Sequence, residues 1–161
     1  MKNFLIPIVT LLLINSLVGQ STIEKTLEKH NNKSIPYISA EELVSTKNIL
    51  IFDARKKEEF NVSHLNNAIW VDYEKFEIDS LPIKDKSKNI VVYCSTGVRS
   101  EDIGEKLIAS GYKHVQNLYG GIFRWVEKGY PVYDNSRQTN RIHVFSKYWG
   151  KLLTKGEKVL H

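Results

Sequence analysis

Two tetrads of unbroken apolar residues, Ile49-Leu50-Ile51-Phe52 and Ile90-Val91-Val92-Tyr93, stand out in the middle of the chain. A short apolar run without alternation suits a strand buried on both faces, as in a parallel sheet. Ala68-Ile69-Trp70-Val71 and residues 115–118 are further strand candidates. Residues 40–45, 56–60 and 100–110 lie between these runs and carry helical patterns. Strand alternating with helix predicts an α/β fold built on a parallel sheet with right-handed crossovers.

The helix over 100–110 has the clearest signals. Ser100 is a favourable N-cap, and Glu101 and Asp102 put acid where the helix dipole is positive. Ile103, Leu107 and Ile108 line one face, and Gly111 follows where a left-handed residue ends a helix. Trp125, at helical spacing from Ile122, reads as core.

The two ends differ from the middle. Lys2 precedes a mostly apolar run from Phe4 to Val18, then small Gly19 and polar Gln20 and Ser21. Residues 1–20 therefore read as a secretory signal peptide, too short and interrupted for the roughly 20 apolar residues of a bilayer span. The expected location is exported: periplasmic in a Gram-negative host, otherwise secreted. Residues 21–35 are polar and read as a leader into a domain over residues 36–133. In the extension over residues 134–161, Val144, Phe145, Tyr148, Trp149, Leu152 and Leu153 fall on one helical face, with Lys147, Lys151 and Lys155 on another. That spacing predicts a basic amphipathic helix. Such a stripe over residues 144–155 suits a peripheral membrane contact or a partner protein, but packing back on the domain is the plainer reading.

Charge adds little to this division. The net charge is +5, yet residues 20–133 carry 16 basic and 16 acidic residues, so the excess is +4 in the extension and +1 from Lys2. Nothing in that distribution calls for nucleic acid. The histidines at 30, 114, 143 and 161 show no ligand spacing, so no metal is expected, and His64 reads as a satisfied loop histidine. No cofactor is implied.

Cysteine count changes the picture more. In an exported chain a single Cys has no internal disulfide partner, so Cys94 is either buried filler or a free reactive thiol. Its surroundings favour the second. Val92-Tyr93-Cys94-Ser95-Thr96-Gly97-Val98-Arg99-Ser100 joins a buried strand to a helix start, at the strand end where open α/β sheets bind ligands. Backbone N–H groups of the loop can wrap the sulfur, with Gly97 permitting the turn. The helix dipole and the Arg99 charge act in the same sense, favouring the nucleophilic thiolate and any persulfide formed on it.

The segment Cys94-Ser95-Thr96-Gly97-Val98-Arg99-Ser100 resembles the C-x-x-G-x-R-S active-site loop of rhodanese domains. Asp53-Ala54-Arg55, Glu58-Glu59-Phe60 and His64-Leu65-Asn66-Asn67-Ala68-Ile69 resemble that family's D-x-R, E-E-F and G-H-I-x-x-A-I stretches in the same order. Gly120-Gly121 through Trp125, then Gly129-Tyr130-Pro131-Val132, resemble its closing segment. The resemblance implies a central parallel sheet with helices on both faces. It also implies a thiosulfate sulfurtransferase in which Cys94 takes sulfur from a small sulfane donor as a persulfide and passes it to a thiol, cyanide or protein acceptor. Residues 95–100 would form the anion-binding loop, and Asp53 and Arg55 would be structural support rather than catalysts. Ser63 stands where the family usually has Gly, and Asn66-Asn67 replace its common Pro-Gly. Ser95, Thr96 and Val98 leave Arg99 as the loop's one cation, which implies a weak hold on thiosulfate and leaves other sulfane compounds open as donor.

Two other functions compete. Phosphatases and arsenate-reducing relatives of this fold carry a C-x5-R loop, whereas Cys94 to Arg99 is C-x4-R, a tighter cradle suited to sulfur and too small for a tetrahedral oxyanion. The alternative that leaves chemistry aside is a docking or regulatory rhodanese-like module of the cell envelope, which retention of Cys94, Gly97 and Arg99 disfavours.

Overall fold

The computed structural model describes residues 22–135 and 137–160; the apolar segment expected as a signal peptide lies outside them. Five parallel strands form the sheet, in the order β1 (Tyr37–Ile38), β5 (His114–Leu118), β4 (Asn89–Tyr93), β2 (Ile49–Asp53) and β3 (Ile69–Trp70). The two apolar tetrads lie side by side at its centre, with Ile51 opposite Val91 and Asp53 opposite Tyr93. Pleating sends alternate side chains of β4 to opposite faces. Val91 and Tyr93 enter one core with Leu118, Ile122 and Phe123, while Ile90 and Val92 enter another with Phe52, Ile103 and Leu107. A strand apolar at every position is thus explained by two cores rather than one.

Helix α4 (Arg99–Ala109) covers the second core through Ile103 and Leu107, both fully buried and each contributing about 1.5–3 kcal/mol by burial. It begins one residue before the expected start. Val98 is the N-cap, and the Ser100 hydroxyl is turned inward to donate to Asn117 Oδ1 at 2.8 Å, so Ser100 does not cap the helix. Gly111 ends it at φ +92°, the left-handed geometry that its position predicts. On the first face lie α2 (Ala40–Ser45), closed by a capping box between Ser39 and Glu42, and α5 (Gly121–Glu127). Helix α3 (Lys57–Val62) leads out of β2 toward the site.

Two segments depart from the expected organisation. Residues 22–30 form a helix, α1, whose Ile23 and Leu27 are buried in the first core, followed by buried Ile35. The leader is therefore a docked element; two apolar residues four apart were too sparse a stripe to announce it. The extension contains no α-helix over residues 144–155. It runs as a β6–β7 hairpin (Val132–Asp134, Arg137–Thr139) and a parallel pair, β8 (Arg141–His143) with β9 (Glu157–Val159). A 3-10 turn at Trp149–Leu152 lies between β8 and β9. Ile142, Val144, Leu152 and Leu153 are buried in the first core. Of the expected stripe, Val144, Leu152 and Leu153 are buried while Phe145 and Tyr148 are exposed, and strand pairing and a left-handed Phe145 (φ +60°) replace the helix.

Candidate functional site

Cys94 follows the last residue of β4 and is 1 % exposed. The loop after it curls back so that the Gly97 N–H donates to Cys94 Sγ at 3.2 Å. Gly97 has φ +108°, which a side chain would strain, and a β-carbon there would press on Leu27 of α1. Two amides from different elements hold the Gly97 carbonyl: Asn31 Nδ2 and Asn117 Nδ2 each donate to it at 2.8 Å. Ser100 in turn holds Asn117, so the turn beneath the sulfur is fixed from the leader, from β5 and from α4.

The start of α5 fixes the other side of the loop. The Ile122 N–H donates to the Cys94 carbonyl at 2.9 Å and the Phe123 N–H to the Ser95 carbonyl at 3.1 Å. This approach is why glycine is needed at 121. A β-carbon there would lie 2.3 Å from the Cys94 carbonyl oxygen, and the residue sits at φ +55°.

Arg99 behaves differently from the anion contact expected of it. Its Nη1 donates to Glu59 Oε2 at 2.8 Å, and its Nη2 donates to Glu59 Oε1 at 2.9 Å and to Ser95 Oγ at 3.1 Å. Ser95 Oγ also donates to Glu59 Oε1 at 3.0 Å. The guanidinium fork is thus closed by a carboxylate, and the Ser95 hydroxyl is part of that closure rather than an anion ligand. Burial works against the Arg99 charge, but the Glu59 hydrogen bonds and then the nearby Cys94 hold its pKa above the ordinary range. Burial likewise raises Glu59, and the Arg99 hydrogen bonds and charge outweigh it, leaving the carboxyl below its usual value. Glu59 was assigned no role from sequence. The available signal was the need of a half-buried arginine for a counter-ion, with two acids side by side in α3 to supply it.

Asp53 and Arg55 are where a structural strut should be. Both are fully buried, with Arg55 Nη2 at 2.6 Å from Asp53 Oδ2 and also donating to the Ser63 carbonyl at 2.6 Å. The Tyr93 hydroxyl donates to the same carboxylate, tying β4 to β2 one residue before the cysteine. His64 stacks on Phe60 at 4.0 Å between ring centres, with Nδ1 3.0 Å from the Phe60 carbonyl, a satisfied loop position.

A cavity of about 200 Å³ opens beside the thiol, lined by Cys94, Ser95, Thr96, Val98, Arg99, Phe145 and Trp149. The last two come from the extension. A family model, the Rhodanese-like domain, matches residues 38–128, more than half of the chain. The chain belongs to the rhodanese family. The thiosulfate sulfurtransferase GlpE of Coxiella burnetii is 33% identical over 93 residues, covering 58% of this chain and 86% of that protein. The tRNA uridine(34) hydroxylase of Photorhabdus laumondii is 30% identical over 136 residues, 76% of this chain but 37% of that longer protein. Among solved structures, a rhodanese-related protein of Thermoplasma volcanium superposes with a TM-score of 0.54 at 29% identity, over 61% of this chain and 97% of that one. Phe145 and Trp149 lie beyond the segment that matches the rhodanese family model.

Proposed function

We propose that this rhodanese domain is a sulfurtransferase that carries sulfane sulfur as a Cys94 persulfide. The observation that supports it is the four-residue loop from Cys94 to Arg99, folded so that a backbone N–H points at the sulfur at 3.2 Å beneath an open cavity. The Cys94 thiolate attacks the outer sulfur of a donor such as thiosulfate. A new S–S bond forms, the old one breaks, and sulfite leaves with the electron pair. Cyanide, a thiol or a protein thiol then attacks the outer sulfur of the persulfide, and the Cys94 thiolate leaves. The Gly97 N–H faces Cys94 Sγ, the atom that bears the charge as thiolate at the start of the cycle and again once the outer sulfur has been passed on. With no second cysteine in the chain, the acceptor comes from outside. Export, inferred from the N-terminal pattern, would place this exchange outside the cytoplasm.

Intact-protein mass spectrometry tests the reading. Incubation with thiosulfate or an organic thiosulfonate should add one sulfur atom, removable by cyanide and absent in Cys94→Ala. An unchanged mass with every sulfane donor would overturn it.

A further inference from the structure

The cavity over Cys94 has a wall that the matched family segment does not supply. Phe145 and Trp149 close one side and Val98 another, and Arg99 is the one cation among the described residues that line it. That cation already faces the Glu59 carboxylate through two hydrogen bonds. Lys56, whose ammonium lies 5.9 Å from the Phe145 ring, is paired with Glu74 at 2.8 Å. A dianion entering beside the thiolate therefore meets no unpaired cation among the lining residues, whereas an apolar group meets two aromatic rings and a valine. Apolar cavities of about 150 Å³ accept a benzene ring, and this one measures about 200 Å³.

The wall is held in place. The Ser146 N–H donates to the Val144 carbonyl at 2.6 Å across Phe145, whose φ is +60°; this is the rarer, strained form of the γ-turn. The Phe145 N–H donates to His143 Nδ1 at 3.1 Å, and the Trp149 N–H donates to Ser146 Oγ at 3.3 Å. A non-glycine residue in that conformation persists only where its surroundings over-determine it, and such residues cluster at functional sites.

From this we infer that Phe145 and Trp149 determine donor specificity, and that the preferred donor carries its sulfane sulfur on an apolar aryl or alkyl group. The inference rests on the sulfurtransferase reading. With an organic thiosulfonate, the Cys94 thiolate attacks the terminal sulfur, a Cys94–S bond forms, and the bond from that sulfur to the sulfonyl sulfur breaks. The electron pair leaves on the sulfinate, and no oxidant or reductant is consumed. The organic group lies against the two rings while the transferred sulfur comes under the Gly97 N–H.

The test compares thiocyanate formation from benzenethiosulfonate and from thiosulfate, with cyanide as acceptor, in the full chain. The wild type should favour benzenethiosulfonate by about tenfold or more in kcat/KM, the range that one apolar contact region can discriminate. Phe145→Gly and Trp149→Ala should each reduce that ratio by about tenfold through a higher KM for the organic donor. Phe145→Gly removes the ring while suiting the left-handed backbone, so it keeps the test valid if Trp149→Ala does not fold. A wild-type ratio near one, or a ratio unchanged in Phe145→Gly, overturns the inference while the mass of the Cys94 persulfide still supports sulfur transfer. No persulfide with either donor overturns both readings.

Discussion

Glu59 is nearly fully buried, and its carboxylate accepts from Arg99, from the Ser95 hydroxyl and from the Lys56 N–H, so its charge is stabilised only while those donors stay in place. Its pKa is held below the ordinary glutamate value of about 4.3. An acid lowered on folding contributes stability above its unfolded pKa and loses it as pH falls through the folded one. Glu59→Gln should therefore cost about 3 kcal/mol at neutral pH, the lower end for breaking a buried pair, since the Arg99 side chain keeps 20% of its surface. The gap from wild type should shrink as the pH is taken below the ordinary glutamate range, measured as urea midpoints along a pH series. A gap that stays constant would mean that shape, not charge, is what Glu59 supplies. The same residue marks a limit of the sequence. Cys94, Gly97 and Arg99 were legible because their spacing is local. The partner of Arg99 lies 40 residues upstream, and only the fold brings it into contact.

At the scale of elements, legibility followed the length and regularity of the apolar pattern. The central strands and α4 were readable because each fills its own period. The leader was not, since Ile23, Leu27 and Ile35 become a buried set only once the sheet supplies their partners. The extension misleads in the opposite sense, because six apolar residues at helical spacing make a convincing stripe, yet the left-handed Phe145 breaks it and only a 3-10 turn forms between β8 and β9. A β-carbon at Gly150 would stand 3.0 Å from Val144 Cγ2, so glycine there serves the close packing of the turn. The leader is fastened by polar contacts as well. Glu101 in the first turn of α4 accepts the N–H groups of Asn32 at 2.9 Å and Ser34 at 3.0 Å. Glu101→Ala leaves both donors without that acceptor, a loss of about 1.5–3 kcal/mol for hydrogen bonds to a charged group. The expected result is faster proteolytic cleavage between residues 30 and 37, followed by mass spectrometry of the fragments. Cleavage at the wild-type rate would show that the apolar contacts of α1 alone hold the leader.

Across the whole molecule, the core that receives Val91 and Tyr93 from the central strand also receives Ile23 and Leu27 from the leader and Ile142, Val144, Leu152 and Leu153 from the extension. The Cys94 loop therefore lies among three chain segments distant in sequence, and family membership accounts for only the middle one. Polar ties reinforce the apolar ones: Glu127 Oε1 accepts from the Thr154 N–H and hydroxyl, Lys155 Nζ donates to the Glu127 carbonyl, and Ser63 Oγ donates to the Arg141 carbonyl. Segments that share one core lose each other's burial when either leaves, so they open together rather than in succession. Native-state hydrogen exchange can read this directly. Peptides covering residues 141–144 should exchange with the same free energy and the same denaturant dependence as peptides covering residues 90–93. If the extension instead exchanges at lower free energy with a shallow denaturant slope, it opens alone. Phe145 and Trp149 would then leave the cavity while Cys94 stayed in place, and donor selection would be set by how often the wall is closed.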